Sequence, residues 1–458
     1  MRAKKLVLAV CAGALVAAGS ALPLAGTAAA ASALKDDYNG DGYRDLVIGT
    51  PKANAVTVTF GSASGVSPAR SVTVTQNTSG VPGVTEAEDE FGENVTSGDA
   101  NNDGYADLIV GAPGEKVTGK PDGSVTIVWG GANGFTTGGM VLNAPSAEDV
   151  RFGEGASFVD LDGDGYAQLA VISSNRWWWY SDGAVPTTPN APEVPFLPED
   201  IRLEGMEAGH FTSATGYTYV VYGEHADGSP YTAYVKGGSG DIGYYSRVLA
   251  EGTDRRATSS AAGSGDVDGD GYTDLVTGNP ADNSITVHYG GPGDFGHTGT
   301  YTQESPQVPG TSELLDRFGS SVAVGDVTGD GRADVAVGVP GETVDSGADV
   351  GTVVLLRGSA TGLGGGASWH QDTSGVPGVS EPGDGFGSTV RIKDINKNGR
   401  ADLAVGATGE DIGSAADAGA VWVLRGTTSG LTTSSVTSFN GSDFGIGGAG
   451  RQFGAVLR

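Results

Sequence analysis

Asp37-Tyr38-Asn39-Gly40-Asp41-Gly42-Tyr43-Arg44-Asp45-Leu46-Val47-Ile48-Gly49 is the stretch whose reading decides the fold. Oxygen-bearing side chains stand at positions 1, 3, 5 and 9 of the loop, with Gly at position 6. That pattern suits a hard cation: calcium takes six to eight oxygen ligands, and the glycine permits a sharp turn. The loop runs straight into an apolar stretch that ends in Gly49. It returns with Asp99, Asn101, Asp103 and Asp107, and most fully with Asp266, Asp268, Asp270 and Asp274. Three further copies carry Asp160, Asp162 and Asp164; Asp326, Thr328, Asp330 and Asp334; and Asp394, Asn396, Asn398 and Asp402. In the third copy Gln168 replaces the ninth-position acid. The seventh residue of each loop, Tyr43, Tyr105, Tyr166, Tyr272, Arg332 or Arg400, is expected to lend a backbone carbonyl. An isolated Asp-Gly cluster reads equally well as a turn. Six copies in register favour up to six calcium sites.

The copies recur at about sixty residues, with one double gap between Asp160 and Asp266. A worn copy from Gly209 to Gly223 fills that gap, keeping Gly216-Tyr217 and an apolar run but no carboxylate in the loop. The count is therefore seven repeats, the fourth degenerate. A fixed period of this kind signals a solenoid, a propeller or an array.

The repeats resemble FG-GAP repeats, as in the N-terminal propeller of integrin α subunits and many secreted bacterial proteins. The Phe-Gly half stands at Phe91-Gly92, Phe152-Gly153, Phe318-Gly319, Phe386-Gly387 and Phe453-Gly454. The other half stands at Gly111-Ala112-Pro113, with variants that begin at Gly49, Gly278, Gly338 and Gly406. The repeats around Gly209 and Asp266 have no clear Phe-Gly. The resemblance implies an all-β fold, a seven-bladed β-propeller with calcium loops between the strands of single blades. The first repeat starts at its loop, and the chain ends on an unpartnered Phe-Gly segment, so the last strand is expected to join the first repeat and close the ring.

Composition agrees. Gly is 79 of 458 residues, which suits tight turns and disfavours helices. Short alternating runs such as residues 55–60, 124–129 and 351–356 read as strands, about four per repeat. Arg2, Lys4 and Lys5 precede an apolar run over residues 6–24, and Ala28-Ala29-Ala30 offers a cleavage site. Residues 1–30 are thus expected to be a secretory signal, and 31–458 the propeller. A membrane anchor is the competing reading, and the small-residue tail argues against it. A lipoprotein would want a small residue before Cys11, where Val10 stands. The mature chain then has no cysteine, and calcium takes the place of disulfide staples.

The net charge of −29 argues against nucleic acid as a partner, because phosphate backbones require a basic face. No Gly-x-Ser-x-Gly or His-Glu-x-x-His motif occurs, and the five histidines lack ligand spacing. The expectation is a secreted or cell-surface, monomeric, non-catalytic binder of an extracellular protein or glycan. The alternative is a lectin-like or glycan-processing propeller. For that alternative, the run Trp177-Trp178-Trp179-Tyr180 is either a sugar platform or blade filling. A second phrase, Thr78-Ser79-Gly80-Val81-Pro82-Gly83, is echoed over residues 373–378 and partly at 308–310. With Glu86, Glu313 and Glu381 it reads as a patterned loop between blades.

Overall fold

The computed structural model describes residues 33–458 apart from 136–137, 147, 160–165, 175, 181–183, 190–191, 194–199, 214–217, 237–244, 252–260 and 346. Residues 1–30, expected to be a leader, with Cys11 among them, and the loop acids Asp160, Asp162 and Asp164 lie outside the described residues, as does most of the proline-rich run. The strands form seven four-stranded antiparallel sheets, the blades of a propeller. Blade 2 shows the plan: Asn94–Gly98 lies innermost, followed outwards by Asp107–Ala112, Ser124–Val128 and Gly139–Asn143. Blades 3 to 7 begin at Ala156–Val159, Ile201–Gly209, Ala262–Gly265, Ser321–Gly325 and Phe386–Lys393. The degenerate repeat builds a full fourth blade.

The ring closes as expected. Val456–Leu457 takes the innermost place of blade 1, pairing Gly49 with Val456 and Ile48 with Leu457. Arg458 and Val47 exchange two backbone hydrogen bonds, at 2.8 and 2.9 Å. A buried ion pair ties the same seam. Lys393 of blade 7 lies 3.0 Å from Asp36, which precedes blade 1, and its Nζ also donates to the Asp45 carbonyl at 2.8 Å. Asp36 in turn accepts from Ser97 Oγ of blade 2 at 2.7 Å.

The core is a set of wedges. Seven apolar clusters are present among the described residues, one at each boundary between neighbouring blades. Phe91, Phe152, Phe318, Phe386 and Phe453 are fully buried in these wedges. The glycine pairing has a direct steric cause. A Cβ at Gly111 would lie 2.0 Å from the Gly153 carbonyl oxygen of the next blade. The corresponding distance is 2.3 Å from Gly49 to Gly92 and 1.9 Å from Gly338 to Gly387. Two backbones meet there with no room for a side chain. Gly406 meets Gly454 in the same way, so the closing segment continues the pattern across the seam.

The aromatic run belongs to this core. Trp177 is fully buried, and Trp179 packs on Tyr219 of blade 4 with ring centroids 4.9 Å apart. Trp178 points to the opposite side and donates from Nε1 to Asp149 at 3.1 Å. Both faces of the strand are covered by neighbouring blades, which removes the platform that sugar stacking needs. Trp177→Ala is expected to cost about 3–5 kcal/mol, the usual range for a buried aromatic. Equilibrium urea unfolding measures this, and an unchanged midpoint would contradict the packing.

Candidate metal centre

In blades 2, 5, 6 and 7 the acidic loop joins the first strand to the second, and in blade 1 it leads into the second strand, so these loops lie at one end of the ring. The ninth residue opens the second strand in blades 2, 3, 5, 6 and 7, as Asp107, Gln168, Asp274, Asp334 and Asp402. The sixth residue, Gly42, Gly104, Gly271, Gly331 or Gly399, has φ between +78° and +91°. Only glycine adopts that region at no steric cost.

Backbone amides hold the carboxylates. In blade 5, Asp266 Oδ2 accepts from Gly271 N at 2.9 Å and Oδ1 from Gly269 N at 2.7 Å. Asp268 Oδ1 accepts from Asp270 N, and Asp270 Oδ1 from Tyr272 N, at 3.1 and 2.8 Å. Asp274 accepts from Val267 N and Gly290 N, at 2.7 and 2.8 Å. The first loop repeats the scheme: Asp37 accepts from Asp41 N and Gly42 N, Asn39 from Asp41 N, Asp41 from Tyr43 N, and Asp45 from Tyr38 N and Gly61 N. Asp99, Asn101, Asp103 and Asp107 do the same in blade 2. In blade 6, Asp326, Asp330 and Asp334 follow suit, while Thr328 Oγ1 turns to Asp326 at 3.4 Å. In blade 7 Asp394 accepts from Gly399 N and Asn398 from Arg400 N, but Asn396 donates its amide to both oxygens of Asp402. The third loop is seen only in part. Tyr166 is exposed, and its carbonyl accepts from Gln168 Nε2 at 3.1 Å.

The donor sets suit a hard cation. One carboxylate oxygen each from Asp266, Asp268 and Asp274 lies within 4.8 Å of the others. Burial pushes the ninth-position carboxyls up, to about 7 for Asp45, Asp107 and Asp274 and to about 6 for Asp334 and Asp402. Neighbouring loop acids add to the rise at each of these positions, for example Asp103 and Asp99 at Asp107. An oxygen-seeking cation relieves both effects.

The seventh position does more than its carbonyl suggests. A Cβ at Gly40 of the first loop would lie 2.5 Å from the Tyr105 ring of the second. Arg332 Nε donates to the Asp268 carbonyl of the preceding loop at 3.2 Å. At these two boundaries, neighbouring loops therefore brace one another. Two histidines are packed into the blades: His288 is buried and lowered to about 4 by that burial, and His297 stacks on Tyr289 at 4.3 Å. Sequence reasoning missed Asp36 and Lys393, which are 357 positions apart and carry no local signal. It also missed Glu115, Glu342 and Glu410, although each follows the glycine-rich end of a second strand.

Five segments, residues 29–66, 91–128, 258–296, 318–356 and 386–424, match the FG-GAP repeat family. Integrin alpha-8 of Mus musculus is 37% identical over 153 residues, which is 32% of this chain and 14% of that protein. Phosphatidylinositol-glycan-specific phospholipase D of Rattus norvegicus is 33% identical over 120 residues, 26% of this chain and 14% of that protein. Integrin alpha-5 of Xenopus laevis is 28% identical over 320 residues, 61% and 29% of the two chains. The similarity thus spans a minor part of each relative's length. Among solved structures, a luciferin-regenerating enzyme overlays on 72% of this chain and 91% of its own, at 10% identity and a TM-score of 0.37. That overlay is too loose to bear on function.

Proposed function

We propose, for a chain that is a β-propeller of FG-GAP repeats, a calcium-stabilised and non-catalytic role outside the cell, in adhesion or in binding a protein or glycan ligand. The observation that carries this reading is the set of loop oxygens that converge in blade 5, with the same amide-held scheme recurring in blades 1 and 2. Asp266, Asp268, Asp270 and Asp274 would hold one ion with the carbonyl of Tyr272, and the equivalent residues of the other loops would hold theirs. Bound calcium neutralises the loop carboxylates and fixes the first hairpin of each blade. The third site is the weakest candidate, since Gln168 takes the place of an acid. Residues 1–30 fit a secretory leader, and among the described residues no helix is long and apolar enough to cross a membrane.

The glycan-processing alternative loses its aromatic platform, because the Trp177–Trp179 side chains are core. Screening the calcium-loaded protein against a glycan array and a panel of extracellular proteins tests the role. The expected outcome is a ligand held in calcium, released by chelator and recovered unchanged. Conversion of the ligand to a product would overturn the non-catalytic reading.

Asp270→Ala removes the fifth-position carboxylate from a loop with four side-chain donors. Calorimetric titration is expected to find one calcium fewer than in the parent. An equal count would make this loop a turn.

A further inference from the structure

The repeated phrase at residues 78–83, 308–310 and 373–378 is preceded each time by a glutamine: Gln76, Gln303 or Gln371. All three side chains are buried, at 3%, 3% and 0% exposure. Each glutamine follows the outermost strand of one blade and reaches a glutamate that follows the second strand of the next. Gln76 Nε2 donates to Glu115 at 2.6 Å, Gln303 to Glu342 at 2.7 Å and Gln371 to Glu410 at 2.5 Å. These contacts cross the boundaries of blades 1 and 2, 5 and 6, and 6 and 7. Second strands begin at the acidic loops and end at the opposite end of the blade, so these clusters occupy the other face of the ring.

Two more carboxylates attend each pair. Beside Glu115 stand the buried Asp89 and the exposed Glu86, with one oxygen of each of the three within 4.8 Å of the others. Asp89 Oδ2 accepts from the Glu86 amide at 2.6 Å, and the same turn forms at Asp316 and at Asp384. Three acids gathered around a buried amide need either protons or a cation.

The glutamine decides between them. In all three copies the remaining amide oxygen, Oε1, is buried and has no hydrogen-bond partner. Leaving such an acceptor unsatisfied forfeits its hydration with nothing in return. The side chain is also held in place. Gly83, Gly310 and Gly378 have φ of +112°, +103° and +113°, and a Cβ at Gly310 would lie 2.4 Å from Gln303 Nε2. At the boundary of blades 5 and 6, Gln303 and Glu342 line a cavity of about 230 Å3. A proton shared among the carboxylates would ease their repulsion and leave the amide oxygen as it is. A hard cation satisfies both, since calcium accepts amide and carboxylate oxygens alike.

We propose that Glu86, Asp89, Glu115 and the Gln76 amide oxygen bind a calcium ion, that the two equivalent clusters do the same, and that these ions pin neighbouring blades together. Four side-chain oxygens per site leave the remaining positions of a six- to eight-coordinate ion to water.

Calcium stoichiometry of the intact protein, measured by equilibrium dialysis, tests the proposal. Glu115→Gln and Glu410→Gln preserve shape and remove one charged ligand each, and each is expected to bind one calcium fewer than the parent. Retention of the full count by both overturns the proposal. Anomalous diffraction from parent crystals grown in calcium does not depend on the variants folding. It should place a calcium peak within ligand distance of Gln76 Oε1, and a water without anomalous signal there overturns the proposal. Both readouts are independent of Asp270→Ala, so the acidic loops and these clusters can fail separately.

Discussion

Removal of residues 453–458 is expected to make the protein aggregate or fail to fold. Six residues at a chain end are ordinarily dispensable. Here they supply the innermost strand of blade 1 and the fully buried Phe453. Thr389 Oγ1 of blade 7 also donates to the Gly454 carbonyl at 2.6 Å. Truncation would strip backbone partners from residues 47–49 and expose strand edges on both sides of the seam, and exposed edges recruit other chains. Losing Phe453 alone would cost about 3–5 kcal/mol, a large part of the roughly 5–15 kcal/mol that stabilises a typical domain. Size-exclusion chromatography and thermal melting read the outcome. A truncated monomer with the parent's melting temperature would contradict ring closure by this strand.

Lys393→Met is expected to destabilise the protein by about 3–5 kcal/mol, because it leaves a buried carboxylate without its counter-charge. Lys393 and Asp36 are each at most 5% exposed. Burial alone would push the Asp36 carboxyl up, and the ammonium groups of Lys393 and Lys35 instead hold it well below the usual carboxylate range. Pairing Lys393→Met with Asp36→Asn should restore part of the loss, since the second change removes the stranded charge. Denaturant unfolding of both single variants and the double variant gives the coupling directly. Additive losses would show that the two side chains do not act as a pair across the seam.

Much of the fold was legible because the repeat is written in residues with narrow physical uses. Asp-x-Asn-x-Asp-Gly marks a tight turn rich in oxygen ligands, and each copy announces the strand that follows it. The displaced Phe453-Gly454 pointed to a strand that completes the first blade, and the pairing of Val456–Leu457 with residues 48–49 is that strand. The reason for the glycine pairing was not legible, since it lies in two backbones meeting between blades. The tryptophan run was ambiguous for a related cause. Alternation in a strand usually separates a wet face from a dry one, but this strand is covered on both sides. Asp36 with Lys393, and Gln76 with Glu115, were invisible because long-range polar pairing leaves no periodicity in the chain. The phrase at residues 78–83 showed that something repeats between blades, without showing what its neighbouring glutamine touches.

The melting temperature with and without calcium tests the central claim most directly. At a hundredfold excess over its dissociation constant, one site adds about 2.7 kcal/mol to stability. Extracellular sites of this kind bind at about 10⁻⁴–10⁻³ M, so tens of millimolar calcium approaches that excess for the tighter sites. Several occupied loops should raise the melt of the chelator-treated protein by at least several degrees. The same melting temperature in chelator and in calcium would contradict the reading of these loops as calcium sites.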